Sequence, residues 1–311
     1  YLDDARDLCR RLSIPHIVCD QRKAFQATII DYFIREYMKG HTPVPCTLCN
    51  NFLKWPLLRQ LADERGIYYL ATGHYVRKRM IDGYWHIVNG DDADKDQSFF
   101  LWGLPQDIME RMLLPMGNLT KTRVREIAEE RGFLKAATKK DSIGVCFCPM
   151  DYRTFLRKEV STESIQKGKF FDEKGDFIAW HEGYPFYTIG QRKGLGIGGR
   201  KESLFVIGTD VEQNVVFVGE GDNHPGLYRK VLSIRPEEIH WVDNINAMTV
   251  GERRRYSVRI RYRQPLQQAE LIMDEEGLYI LFDEPQRGIT AGQFAAWYLD
   301  ERVVGSGVIS A

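Results

Sequence analysis

The pattern of the chain changes character near residue 166, and that change limits the fold more than any other feature. Before it, apolar residues at helical spacing alternate with short β-rich runs. After it come short strands separated by Lys174-Gly175, Glu182-Gly183, Gln213-Asn214 and Glu276-Gly277. Regular turn signals with aromatic and β-branched alternation predict two small β-barrels, over 164–225 and 226–311. A chain of 311 residues is too long for one ordinary core, so several domains are expected. Lys plus Arg and Asp plus Glu balance at 43 each, so only local clustering can argue for an anionic partner. No apolar run is long enough to span a bilayer. Six cysteines are too few for a disulfide scaffold and point to functional thiols in a cytoplasmic protein.

In the first half, Leu2, Ala5, Leu8, Cys9 and Leu12 have helical spacing, and Ile14–Asp20 reads as a short strand. Cys9 and Cys19 are expected to be small core residues. A second helix carries Phe25, Ile29, Phe33, Ile34 and Tyr37 on one stripe and ends at Gly40. Pro43 and Pro45 predict an extended loop through Cys46, with Cys49 at the N-terminus of the next helix, where the macrodipole favours thiolate. Ile67–Ala71 reads as a buried strand running into Thr72-Gly73-His74-Tyr75. This alternation predicts an α/β parallel sheet. Ligands of such sheets bind beyond the carboxyl ends of strands, where Gly73 and His74 fall.

A hairpin is predicted around Asp82-Gly83. The acidic run 91–98 fails as a calcium loop, because Gln97 stands where the turn needs Gly. Lys95 and Gln97 could instead offer donors to a phosphate or base. Residues 98–134 read as helical, with a short helix near 151–158. The run Tyr187–Gly199 reads as a mobile basic loop. Arg253, Arg254, Arg255, Arg259, Arg261 and Arg263 form an arginine ladder, which on a strand would offer an anion-binding face.

Two cysteine segments remain, Cys46-x-x-Cys49 and Cys146-x-Cys148. Three readings compete for them: a zinc site, plain structural thiols, and a sulfur-carrying pair acting on an activated acceptor.

Several motifs together resemble the tRNA-specific 2-thiouridylase family. They are Thr42-Pro43-x-Pro45 with Cys49-Asn50, Ala71-Thr72-Gly73-His74-Tyr75, Lys95-Asp96-Gln97-Ser98, Lys140-Asp141-Ser142-x-Gly144-x-Cys146-Phe147, Tyr187–Gly196, Arg261-Tyr262-Arg263-Gln264 and Gly292-Gln293. The similarity runs in order over nearly the whole chain. It implies a PP-loop α/β domain of the adenine-nucleotide α-hydrolase type over 1–103. A helical tRNA-binding segment with the cysteine loop follows over 104–163, and then the two barrels. It implies ATP-dependent 2-thiolation of the wobble uridine of tRNA, with ATP bound as its Mg2+ complex. The uridine is adenylated, and sulfur arrives as a persulfide through a relay protein fed by a cysteine desulfurase. By position, Cys49 matches the nucleophile, Cys146 the persulfide carrier and Gly73 a residue at ATP. His74, Lys95, Asp96, Gln97, Arg261, Tyr262 and Gln293 match tRNA contacts, and Val44, Pro45 and Cys46 match the stretch at the target base. A monomer without membrane attachment is expected.

Two departures follow. The Ser-Gly-Gly-x-Asp-Ser pyrophosphate loop that opens the family does not occur in this sequence, so an inactive fragment is expected, or alternatively a tRNA-binding paralogue without catalysis. Val44-Pro45-Cys46 replaces the usual Asn-Pro-Asp. This gathers a third cysteine near Cys49 and Cys146, and an iron–sulfur cluster on Cys46, Cys49 and Cys146 is the resulting expectation.

Overall fold

A computed structural model describes residues 2–138, 144–148 and 151–310. Helix α1 (Leu2–Arg11) buries no side chain among the described residues, and Ile14–Asp20 is extended but unpaired rather than a strand. Ile14, Ile17 and Val18 are exposed, because no described strand lies alongside to cover them. Cys19 is exposed with them and Cys9 is only half-buried, so neither is the core thiol expected.

The second predicted helix is present but composite. Segment α2 (Arg22–Phe25) leads through a π-helical turn, Gln26–Ile30, into α3 (Asp31–Met38). Ile29, Phe33 and Tyr37 form its buried stripe, and Gly40 ends it at φ +76°. The Pro-Cys stretch departs from expectation. Helix α4 (Pro45–Leu48) starts at Pro45, continues through a second π-helical turn, Cys49–Lys54, and runs on as α5 (Trp55–Asp63). Proline is compatible with a first helical position, where its missing N–H would be unpaired anyway. Pro56 also lies in this run. The wider turn just before it is a place where a missing N–H is tolerated.

Strand β1 (Leu70–Ala71) pairs in parallel with β4 (Met112–Leu113), and among the described residues of the first 150 this two-stranded ladder is all of the parallel sheet. Between them, β2 (Val76–Ile81) and β3 (Tyr84–Asn89) form the predicted hairpin, with Asp82 and Gly83 at φ 52° and 84°. Residues 98–134 are less helical than expected: α6 (Gln106–Arg111), β4, α7 (Lys121–Glu130) and α8 (Leu134–Thr138) begin within the stretch, separated by turns. Gly117 packs where a Cβ would meet the Val76 carbonyl oxygen at 2.2 Å. Gly117→Ala is therefore expected to cost about 1–3 kcal/mol in urea unfolding, since backbone must move to admit the methyl.

Helix α9 (Tyr152–Glu159) is capped by the Asp151 carboxylate. A four-stranded sheet follows, ordered β6 (Phe177–His181), β5 (Gly168–Phe171), β8 (Val215–Glu220), β7 (Leu204–Asp210). The Tyr187–Gly199 loop is pinned to it: Gly190 N–H donates to the Val206 carbonyl and Leu195 is buried. The last sheet has nine strands. Its C-terminal members are β9 (Tyr228–Ile234), β10 (Ile239–Trp241), β11 (Arg253–Arg259), β12 (Gln267–Asp274), β13 (Gly277–Arg287), β14 (Phe294–Leu299) and β15 (Arg302–Val308). The hairpin β2–β3 joins its edge through Val88 and Arg302.

Cores are shared between these units. Trp55, Phe99, Leu101 and Met112 pack with Phe294, Tyr298 and Val303. Phe33 and Tyr37 pack with Leu156, Phe170, Val206 and Val216. Helix α3 is thereby fixed against the central sheet and α4–α5 against the C-terminal one. No helix of the described residues is long and apolar enough to cross a membrane.

Candidate active site

The segment entering α4 is held from two sides. Thr42 N–H donates to the Ala291 carbonyl at 2.8 Å, and the Thr42 and Thr188 hydroxyls meet at 3.0 Å. Gly292 lies so close that a Cβ there would meet His41 Cβ at 2.8 Å. Gln293, the predicted tRNA contact, thus follows the residues that clamp the start of the cysteine helix. Val44 caps that helix, Pro45 is buried at its first turn, and Cys46 is partly exposed. Cys46 and Cys49, three residues apart, share a helix face.

Cys49 is buried, in the second turn rather than at the helix N-terminus. The macrodipole is weak that far in, and burial pushes the Cys49 thiol up, opposed by the Lys54 cation. Burial raises Cys46 in the same way. Both are therefore thiols at neutral pH, against the expectation of thiolates. Alkylation of Cys49, followed by peptide mapping, is expected to rise about tenfold per pH unit above pH 7. It should lag exposed Cys19 and Cys146 and slow further in Lys54→Met. A Cys49 rate flat from pH 6 to 9 would contradict this. Lys54 was not singled out in the sequence; its place five residues after Cys49 on an unbroken helix was the available signal.

Cys146 is exposed in a turn anchored by Phe147, whose ring packs on Phe25, Phe33 and Phe155 at 5.2–5.6 Å. A charge on Cys146 would add to the burial that raises both Cys46 and Cys49, which puts this turn in the neighbourhood of the cysteine helix. Cys148 is buried beside Cys146. Lys140, Asp141 and Ser142 lie outside the described residues. Among those described, no three His, Cys, Asp or Glu side chains stand close enough to hold a metal ion.

Gly73 follows the carboxyl end of β1 and is exposed, and a Cβ there would meet nothing within 4 Å. His74 stacks on Trp55, with centroids 6.1 Å apart, and its Nδ1 lies 2.8 Å from the Thr72 hydroxyl. Burial and the Lys54 cation lower its pKa to about 4, so it is a neutral imidazole at pH 7. Gln97 Oε1 accepts the next backbone N–H, that of Tyr75.

Other predicted contacts are used by the fold. Asp96 is buried and pairs with Arg259 at 2.8 Å, so it supports this loop instead of facing solvent. The arginine ladder is largely neutralised: Arg253 pairs with Glu270, Arg254 with Glu252, and Arg255 with Asp283. It is therefore not the open anionic-ligand face expected. Arg261 is exposed but donates to the Arg287 carbonyl, and Tyr262 packs on Phe100 at 4.7 Å. Lys95 is half-buried.

An α/β unit whose helix carries paired cysteines, followed by a further cysteine turn and two β-barrels, is the class of architecture this chain presents. Residues 1–150 match a family model described as a tRNA methyl transferase HUP domain, 153–220 a PRC-barrel domain and 231–309 an aminomethyltransferase β-barrel domain. The chain is 56% identical over 310 residues to tRNA-specific 2-thiouridylase MnmA 2 of Phocaeicola vulgatus, covering 99% of this chain and 86% of the relative. It is 52% identical to tRNA-specific 2-thiouridylase MnmA 1 of Bacteroides fragilis, covering 100% and 86%. The match to the enzyme of Acidithiobacillus ferrooxidans is 38% identical over 99% of this chain and 85% of the relative. The chain belongs to the tRNA-specific 2-thiouridylase family.

Proposed function

We propose that the protein thiolates the wobble uridine of tRNA at its 2-position, with ATP as its magnesium complex activating the base. The observation that carries this is the pair Cys46 and Cys49 on one helix face, with the Cys146 turn anchored nearby through Phe147 on Phe25 and Phe33. Gly73 supports the nucleotide assignment: nothing within the chain crowds its Cβ position, so a closely approaching ligand is a reason for glycine there.

ATP supplies the leaving group: the uridine 2-oxygen takes AMP as pyrophosphate departs, and the base gives up its N3 proton, which returns when the 2-thiouridine forms. A persulfide on Cys146 attacks C2 with its terminal sulfur, and AMP departs. Cys49, once deprotonated, attacks Cys146 Sγ. The new disulfide forms as the bond to the transferred sulfur breaks, leaving 2-thiouridine. An external dithiol then reduces the disulfide, and a persulfide donor reloads Cys146. The raised Cys49 thiol suits this order, since a protonated resolving thiol does not discharge the persulfide early. Neutral His74 and Gln97 would contact RNA by hydrogen bonds, and Arg261, Tyr262 and Gln293 would add further tRNA contacts.

The test is the 2-thiouridine content of tRNA from cells lacking the gene, before and after its restoration. Loss and recovery would support the reading. Unchanged thiolation, with tRNA binding intact, would favour the non-catalytic relative.

A further inference from the structure

Asn50 follows Cys49 in the π-helical turn and is 5% exposed. Its Nδ2 donates to the Cys46 carbonyl at 3.0 Å. That acceptor fixes the amide's orientation, because the reverse would set two oxygens against each other. Oδ1 is left buried, and no described residue donates to it. The neighbouring Asn51 shows the contrast. Its Nδ2 donates to the Thr47 and Phe100 carbonyls, and its Oδ1 accepts from Gly103 N–H at 3.0 Å. The fold uses both ends of Asn51 and one end of Asn50. A buried acceptor without a donor is costly, which calls for a donor brought from outside. The bond to Cys46 draws the Asn50 amide to the helix face that carries Cys46 and Cys49, and Cys46 is partly open to solvent.

We propose that Asn50 Oδ1 accepts the N3–H of the target uracil as it binds, before its 2-oxygen is activated and that proton is lost, and so makes the site specific for uridine; this rests on the thiolation reading. Uracil has a single donor on its base-pairing edge, and it adjoins the C2 atom to be thiolated. Cytosine presents a bare nitrogen lone pair there, which would face the Asn50 oxygen. A site with a buried acceptor rejects a base that lacks the donor.

The test compares two anticodon stem-loops that differ only by uridine or cytidine at the wobble position, with binding followed by fluorescence anisotropy. The wild-type protein should bind the uridine loop at least about tenfold more tightly. Asn50→Ala, and Asn50→Leu, which nearly keeps the volume, should bring the ratio close to one. A wild-type protein without preference would overturn the inference, and that ratio is read without any variant. A preference unchanged in both folded variants would also overturn it and leave Asn50 a helix-packing residue. Binding to neither loop would overturn the thiolation reading itself, and this inference with it.

Discussion

Serine in place of Cys146 is expected to lower 2-thiouridine in cellular tRNA to background, a loss of at least about a thousand-fold, because the atom that carries sulfur is gone. The exposure of Cys146 makes this informative: a hydroxyl in an exposed turn disturbs no packing, so folding should be unchanged. Cys49→Ser should also abolish turnover, but with a different signature. The persulfide can still attack the activated base, and the product stays joined to Cys146. Non-reducing gels should then show a protein–tRNA adduct that dithiothreitol releases, absent from Cys146→Ser. Cys148→Ser should keep most thiolation, since that buried thiol has no step in the scheme. Full modification by the Cys146→Ser protein would remove the relay from this chain.

Asp96→Ala is expected to destabilise the protein by about 3–5 kcal/mol in urea unfolding. The Asp96 carboxylate takes hydrogen bonds from Arg259, from Ser98 through both N–H and hydroxyl, and from Gly90 N–H. Removing it leaves the Arg259 guanidinium buried, with its charge uncompensated, against the Tyr298 ring. The double change Asp96→Leu with Arg259→Met removes both charges and should recover much of the loss. A single-mutant shift below about 1 kcal/mol would mean that the pair is solvated in solution. Because Gln97 is the next residue and holds Tyr75 beside His74, thiolation should fall along with stability.

Much of the fold was legible where local chemistry decides it. Asp82-Gly83 specified a turn with positive φ at both positions, and Gly40 marked the end of α3. The cysteine segments were legible as a pair because their residue types are rare and their motifs long. Failures came where partners are distant in sequence or absent alongside. The arginine-rich run 253–263 suggested a binding face, yet β11 ends at Arg259, and Glu270, Asp283 and Asp96 neutralise Arg253, Arg255 and Arg259 from other strands and loops. Ile14–Asp20 has strand composition but no described strand beside it. Pro45 suggested a loop, whereas proline also suits a first helical turn. The raised thiols at Cys46 and Cys49 depend on burial, which spacing does not report.

The β2–β3 hairpin also has a consequence for how the chain is made. It takes its place at the edge of the last sheet, and His86 reaches the Val303 carbonyl across 217 residues of sequence. During synthesis the hairpin leaves the ribosome long before β15 exists to receive it. The cluster that buries Ile87 joins Trp55, Phe99 and Leu101 to Phe294, Tyr298 and Val303, so part of its cover must wait through the production of both barrels. Contacts of such long range slow folding, and they give the nascent N-terminal unit a period in which chaperones are its natural cover. Completion of β15 would then be the event that closes the sheet and brings the clamp on the cysteine helix into register.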